Sequence, residues 1–387
     1  MDDTAFRIDF VNALADVDAA EWNALANPPG LRRDPFLTWE FLEALESSGA
    51  VSSATGCMPH HVLVRDAGGR LRGAMPLYAK SHSRGEFVFD HSWAEAFERA
   101  GGAYYPKLLC AVPFTPVTGR RRLVAPGPDQ ARIEAALLDG AVQLGRQNHL
   151  SSLHINFVEE EESDVLTRTG LLCRTDQQFH WFNNGYQIFD DFLAELSSAK
   201  RKNLRKERAR AQEGLDFVHL TGDDITEDHL DRFFDFYMDT GGRKWGTPYL
   251  TRETFSLLRE RMADDLLFVF AMEDGEAIAG AMNLIGSDTL YGRYWGALVD
   301  RPMLHFETCY YQAIDFAIEK GLRVVEAGAQ GGHKLARGYV PVRTYSAHWI
   351  THPGLRDAVA DYLERERVAV EHDLDYLNER TPFRKSE

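Results

Sequence analysis

Apolar and polar positions alternate with period two along much of the chain, and these stretches sit among segments with helical spacing. The clearest case is Leu266–Trp295, LLFVFAMEDGEAIAGAMNLIGSDTLYGRYW. Its pattern predicts strand, tight turn, strand, turn, strand, with Asp274-Gly275 as the first turn. An earlier stretch, HVLVRDAGGRLRGAMPLYAK, predicts a similar hairpin of strands His61–Arg65 and Leu71–Ala79 around Asp66–Gly69. Strands are also expected at Phe6–Val11, Ser152–Phe157, Asp216–Leu220 and Arg323–Ala327. Helical periodicity predicts helices over Ala19–Ala26, Thr38–Ser47, Gln130–Arg146, Phe189–Leu196, Ala199–Gln212, Glu227–Thr240, Phe306–Lys320 and Arg356–Leu377. Gly321 supplies a C-terminal stop for the helix before it. Helices alternating with a mainly antiparallel sheet make this an α+β or mixed α/β chain, and no GxGxxG or GKS/GKT string suggests a doubly wound nucleotide fold.

The two hairpins belong to a longer internal repeat. Gly68, Gly73 and Leu77 match Gly275, Gly280 and Leu284 at a constant offset of 207 residues, and Gly170, His180 and Trp181 match Gly338, His348 and Trp349 at 168. The change in offset places an insertion of 39 residues in the first copy, over about Ser81–Arg122. A repeat this long is too large for a solenoid unit. It predicts two copies of one domain, residues 1–184 and 185–387, with a ligand site in the cleft between them.

The 387 residues suit two domains, and 44% hydrophobic with 26% charged residues is ordinary for a globular protein. A net charge of −16 argues against a general nucleic-acid coat, although it leaves room for a local basic surface. Cys57, Cys110, Cys173 and Cys309 are widely spaced, so neither a disulfide framework nor a structural zinc site is expected. The acidic start MDDTAFRIDF and the lack of a long apolar run predict a cytoplasmic protein that inserts in no membrane. The acidic run Glu159–Glu162 reads as helix-dipole complementation and solvation.

Three groups of residues suggest chemistry. The helix SSAKRKNLRKERARAQ concentrates cations in an acidic chain, and helical spacing sets Arg201, Arg205 and Arg208 on one face suited to phosphate; a merely solvated face is the competing reading. On the strand GRYWG, alternation would point Tyr291, Arg293 and Trp295 to one side as a substrate wall, or bury Arg293 in a pair. His305 and Glu307 open the next helix. Glu307 is a candidate general base for an amine nucleophile, with His305 as the alternative, and dipole complementation is the bland reading. Glu326, Gln330, His333, Lys334 and Arg337 are dense polar groups on a glycine-rich loop at a strand end, a place that often carries chemistry; a plain loop is the competing reading. In the insertion, Trp93, Tyr104, Tyr105, Lys107 and Phe114 combine an apolar wall with polar handles, so Tyr105 and Lys107 are candidate ligand contacts; a satellite hydrophobic cluster is the alternative. No cluster has metal-ligand spacing, so no metal is expected.

These strings, YYPKLL with PFTPVTG, QFHWFN, KRKNLRKER, RKWGTPYLTR, DTLYGRYWG and HFETCYYQAID with EAGAQGGHKLARGY, together resemble the FemAB-like group of predicted N-acyltransferases in the GNAT superfamily, over nearly the whole chain. The resemblance implies two tandem GNAT-like domains, each a twisted, mainly antiparallel sheet flanked by helices. It also implies similarity to the Fem aminoacyltransferases, which move an amino acid from aminoacyl-tRNA to an amine of a peptidoglycan precursor. Their K/R-x-x-[IL]-R signature matches Arg201, Asn203, Leu204 and Arg205. Two features depart from these relatives. No inserted coiled-coil arm is present, and the acetyl-CoA motif [QR]xxGx[GA] is approached by Arg293-Tyr294-Trp295-Gly296-Ala297-Leu298, whose Leu298 would crowd a pyrophosphate cradle.

The leading expectation is an N-acyl or aminoacyl transferase with no tightly bound cofactor. Its donor, aminoacyl-tRNA or an acyl-CoA, would be a co-substrate, and a small-molecule amine, a peptidoglycan precursor among the options, would be the acceptor. An acetyl-CoA-dependent N-acetyltransferase and a non-catalytic ligand-binding module are the alternatives. Oligomeric state is not readable from the sequence.

Overall fold

The computed structural model describes residues 6–244, 248–328 and 331–384. The chain divides into two compact units, and neither is a continuous stretch. Unit 1 comprises Met1–Asp176 and Arg343–His372, and unit 2 comprises Gln177–Val342 and Asp373–Glu387. The boundaries therefore differ from the expected 1–184 and 185–387 in both position and continuity.

Unit 1 opens with β1 (Arg7–Val11), α1 (Ala19–Ala26) and α2 (Trp39–Ser47). Both helices start where a short polar side chain caps them: Asp18 accepts the Glu21 amide, and Thr38 the Phe41 amide. Strands β2 (Cys57–Pro59), β3 (His61–Arg65), β4 (Leu71–Met75) and β5 (Tyr78–Lys80) follow. The single strand expected over Leu71–Ala79 is thus two strands, divided at Pro76, whose ring removes a ladder donor. Next come α3 (His91–Arg99), β6 (Lys107–Cys110), β7 (Leu123–Val124), α4 (Gln130–Gln147), β8 (Ser152–Val158), α5 (Glu160–Arg168) and β9 (Leu172–Phe182). One sheet has the order β1-β3-β4-β7. Beside it, β2, β5, β6 and β8 pair in succession, β6 with β8 in parallel. Apolar faces of α4 and these strands form the core around Val62, Met75, Leu108, Leu137 and Ile155.

Unit 2 holds α6 (Phe189–Glu195), the basic helix α7 (Ser198–Gln212), β10 (Asp216–Leu220), α8 (Glu227–Lys244), α9 (Arg252–Met262), β11 (Leu266–Glu273), β12 (Glu276–Ile285) and β13 (Thr289–Ala297). The expected single helix from Phe306 is broken into α10 (Leu304–Phe306), a π-helical turn at Glu307–Tyr311, and α11 (Gln312–Glu319). Strand β14 (Val324–Glu326) leads to a 3₁₀ turn, Gly332–Arg337. The sheet runs β10-β11-β12-β13-β14-β9, antiparallel except for the β13–β14 pair. The chain ends with β15 (Val340–Ile350) and α12 (Pro353–Asn378).

The interleaved boundaries have a topological cause. His180–Phe182 at the end of β9 pair with β14, while Tyr345–Ile350 of β15 pair with β8. The last strand of each sequence copy thus completes the other unit's sheet. Registers correspond between copies: Gly73 faces Val64 as Gly280 faces Phe270, and His180 faces Glu326 as His348 faces His154. The turns differ. Asp274-Gly275 is a two-residue turn with φ of 52° and 85°, whereas in the first hairpin Gly69, not Gly68, takes positive φ.

Among the described residues no helix is long and apolar enough to cross a membrane, and no group of three or more His, Cys, Asp or Glu could hold a metal ion.

Candidate functional site

In unit 2, β13 and β14 run side by side for three pairs only, Thr289–Val324, Leu290–Val325 and Tyr291–Glu326. Beyond them β14 ends and the pairing stops, leaving a fork beside β13. On its other side β13 carries a bulge: Met282 faces Tyr294 and Asn283 faces Gly292, so Arg293 has no partner on β12. The extra residue breaks strict alternation. As a result Gly292, Arg293, Tyr294 and Trp295 all line one groove, with Ala281–Asn283, His305, Cys309, Tyr310 and Ala327. The groove occupies the fork.

The expected wall is therefore only partly right. Arg293 and Trp295 line the groove, but Tyr291 does not; it is fully buried beneath the Arg293 guanidinium, 5.2 Å from its ring. Arg293 Nη2 donates to Glu326 Oε2 at 3.0 Å and Nη1 to the Gly292 carbonyl at 2.9 Å. The Arg293–Glu326 pair is buried, with side chains 2% and 4% exposed, so it adds little net charge to the groove.

The π turn sets the opposite wall. It brings His305 and Tyr310, five residues apart, to the same side with ring centroids 5.3 Å apart. His305 also packs on Trp295 at 5.1 Å. The Tyr310 hydroxyl is 2.9 Å from Nε2 of His333. Burial raises the Tyr310 pKa above the ordinary phenol range, which keeps it protonated. His333 itself is exposed and meets the groove through Tyr310 and through its ring contact with His305 at 6.2 Å. Lys334, buried behind Ala327, donates from Nζ to the carbonyls of Ala327 and Gly328. Burial, with the Arg293 charge adding to it, lowers its pKa to about 7. Lys334 thus ties down the strand end beside the groove. Gln330 lies outside the described residues.

Glu307 requires a correction. The same turn that presents Tyr310 directs Glu307 away from the groove lining, into full burial against α7. Its Oε1 accepts from Arg208 Nε at 3.2 Å, Gln212 Nε2 at 2.9 Å and Gln312 Nε2 at 2.7 Å. Burial raises its pKa more than these partners lower it. Glu307 is a helix anchor, and of the two expected bases only His305 faces the groove.

Helix α7 splits the expected phosphate face. Arg208 is turned inward onto Glu307 and Asp315 and over the Phe189 ring at 4.2 Å. Glu207 grips Arg337 in a forked pair, at 2.9 and 2.8 Å, and accepts from Tyr311 at 2.6 Å. Among the described residues Arg205 makes only an exposed pair with Asp190, and Arg201 is half-buried without an ion pair. The outward stripe is instead Lys202, Lys206 and Arg210, one helical turn apart, all exposed and, among the described residues, without ion pairs.

The equivalent fork in unit 1 is filled. Beyond the Cys110–Ile155 pair, the Gly119 amide donates to the Phe157 carbonyl at 3.0 Å. The fully buried Arg121 guanidinium spends its donors on the carbonyls of Asn156, Arg120 and Val117. The insertion residues expected to touch ligand serve unit 1 internally. Lys107 is fully buried, donating to Glu86 at 2.7 Å, Ser83 at 2.8 Å and Asp90. Tyr105 holds Ser83 at 2.8 Å. Trp93 and Tyr104 pack with Leu355, Val359 and Leu363 of α12. The cluster is structural because its cation, Lys107, already meets the buried carboxylates of Glu86 and Asp90.

Sequence reasoning missed Tyr310 and Asn283, and it singled out Glu326 only as one of a group of polar residues at a strand end. The helical pair His305/Cys309 in HFETCYY was a usable signal for this face. The fork and the bulge had none, since each depends on pairing between distant segments.

A family model described as peptidoglycan biosynthesis/recognition, the FemAB-like family, matches residues 13–385. No curated protein matches the chain. Among solved structures, FemX is similar with a TM-score of 0.57 at 12% identity, covering 91% of this chain and 100% of that one. The C-terminal domain of a putative lysylphosphatidylglycerol synthetase from Agrobacterium fabrum gives 0.55 at 10% identity, covering 90% and 96%. L-PGS from Bacillus licheniformis gives 0.51 at 12%, covering 87% and 99%. Identities this low speak to the fold alone.

Proposed function

The chain belongs to the FemAB-like family, and from that premise we propose that it is an N-acyltransferase that moves an aminoacyl group from an activated ester onto an amine, at the fork of β13 and β14 in unit 2. One observation carries the reading: the groove joins His305, the Tyr310–His333 pair and the buried Arg293–Glu326 pair around a single open fork. In the reaction the amine nitrogen attacks the donor's carbonyl carbon, and His305 takes the amine proton. Collapse breaks the carbonyl's bond to the leaving oxygen, which receives the Tyr310 proton. His333 restores that proton to Tyr310. Lys334 acts as a positioning residue that holds the strand end beside the groove.

Two features favour an aminoacyl ester over acetyl-CoA. Gly296, the glycine of the near-match to the acetyl-CoA motif, lies inside β13 opposite Gly280. A Cβ there would stand 2.0 Å from the Phe236 carbonyl oxygen, so the glycine serves the packing of α8 against the strand rather than an open phosphate cradle. The outward cations Lys202, Lys206 and Arg210 suit a polyanionic donor such as tRNA, and the acceptor in this reading is the free amine of a peptidoglycan precursor.

The test is transfer itself. The protein is incubated with an aminoacyl-tRNA or with acetyl-CoA, each with an amine-bearing muropeptide, and products are read by mass. The reading expects an aminoacyl adduct that is lost in Tyr310→Phe and His305→Ala. Acetyl transfer alone would favour the acetyltransferase, and no transfer from either donor would count for a binding module.

A further inference from the structure

Among the described residues that line the groove, Asn283 carries a carboxamide whose oxygen meets no hydrogen-bond donor. Its side chain is 1% exposed. Nδ2 donates to the Leu267 carbonyl at 3.3 Å, which fixes the orientation of the amide. Oδ1 accepts no hydrogen bond from the described residues, and the residue lines the groove. Gly292 stands opposite on β13. A methyl on Gly292 would lie 3.3 Å from Asn283 Oδ1 and 3.4 Å from the Glu326 carbonyl oxygen, so the missing side chain is what leaves the approach to Oδ1 open.

An acceptor of fixed orientation that opens onto the groove offers itself to an N–H or O–H donor placed there. The surroundings favour a cationic one. Trp295, Tyr310 and His305 present aromatic rings to the same space, and an ammonium is attracted by the face of such rings. The neighbouring guanidinium of Arg293 is neutralised by Glu326.

We propose that Asn283 is a specificity-determining residue that recognises the α-amino group of the donor, through a hydrogen bond to Oδ1, and so separates aminoacyl from plain acyl donors. This rests on the acyl-transfer reading of the groove. A donor that fills the groove without an amino group shuts water away from Oδ1 and gives it no partner, a loss that discriminates far better than a missing methylene would.

The test uses the full chain and two non-transferable probes, 3′-alanylamido-3′-deoxyadenosine and its 3′-propionylamido counterpart, which differ only in the amino group. Calorimetric titration of the wild type is expected to show the alanyl probe binding about tenfold or more tightly, the usual worth of a hydrogen bond to a charged group. Asn283→Leu removes the preference and leaves propionyl binding largely intact, and Asn283→Asp retains or strengthens it. Should Asn283→Leu not fold, Gly292→Ala covers Oδ1 without removing it and is expected to abolish the same preference. Equal binding of both probes by the wild type, or a preference that survives Asn283→Leu, overturns the assignment of Asn283 alone. Failure of both probes to bind overturns it together with the acyl-transfer reading.

Discussion

Two substitutions of Glu307 separate an anchor from a base. In Glu307→Ala the donors of Arg208, Gln212 and Gln312 that meet on Oε1 lose their acceptor. Removing one partner of a buried pair costs about 3–5 kcal/mol. Arg208 keeps Asp315, which argues for the lower end of that range. Glu307→Gln is different. Its amide oxygen can take the place of Oε1 and accept the same three donors, while its NH₂ falls where Oε2 has no hydrogen-bond partner. Because the carboxyl is held above its ordinary pKa, burial outweighs what its partners return to the charge. A neutral isostere therefore loses little, about 1 kcal/mol or less.

The assay is urea unfolding of both variants beside single-turnover aminoacyl transfer, corrected for the folded fraction. Glu307→Ala is expected to lower the unfolding midpoint strongly, and Glu307→Gln to leave it almost in place; both keep the wild-type rate within a few-fold. The pH dependence has a definite sign. A raised carboxyl pKa means that the folded state binds its proton first, so the wild type gains stability relative to Glu307→Gln as pH falls from the raised value toward 4.5 and loses it as pH rises. A Glu307→Gln variant with an unchanged midpoint and a rate lowered by roughly 10²-fold or more, the scale of general base catalysis, would refute the anchor reasoning and restore Glu307 as the base.

Three further outcomes follow from the same geometry. Tyr310→Phe and His305→Ala should each lower transfer by roughly 10²–10⁴-fold; retention of the unfolding midpoint, checked by circular dichroism, separates this from loss of fold. For Lys334 the folded pKa of about 7 lies below its ordinary value of 10.5, so the protonated form costs stability at low pH and the cost is relieved as pH rises between those limits. The wild type should gain on Lys334→Met between pH 7 and 10 in urea titrations, and parallel curves would show that the lysine is not so perturbed. Gly296→Ala forces a methyl to within 2.0 Å of the Phe236 carbonyl and should destabilise by about 1–3 kcal/mol or more; a midpoint equal to wild type would mean that α8 does not pack there as described.

Local pattern carried most of the elements. The hairpin at Asp274-Gly275 and the stop at Gly321 are short-range signals, and each appears where the residues put it. What failed was long-range. Alternation placed Tyr291 beside Arg293 and Trp295, but a bulge set by the pairing of β12 with β13 buried Tyr291 and turned four consecutive residues toward the groove. Lys107 looked like a polar handle because its partners Glu86 and Asp90 lie well upstream in the chain. Arg208 looked available because Asp315 is more than a hundred residues away. A dense run of charge does not reveal which members are spent internally. The exchange of β9 and β15 was likewise invisible, since a repeat offset records the copies and not which sheet each strand joins.

The central claim is that the fork of β13 and β14 receives the activated carbonyl. The most direct measurement is a crystal structure of the full chain with 3′-alanylamido-3′-deoxyadenosine bound. The account predicts its acyl group between Gly292 and Asn283, with the carbonyl carbon open to an amine roughly 3–3.5 Å away and the Tyr310 hydroxyl within hydrogen-bond reach of the 3′ nitrogen that replaces the leaving oxygen. An analogue well ordered elsewhere on the chain, with Gly292–Trp295, His305 and Tyr310 untouched, would contradict it.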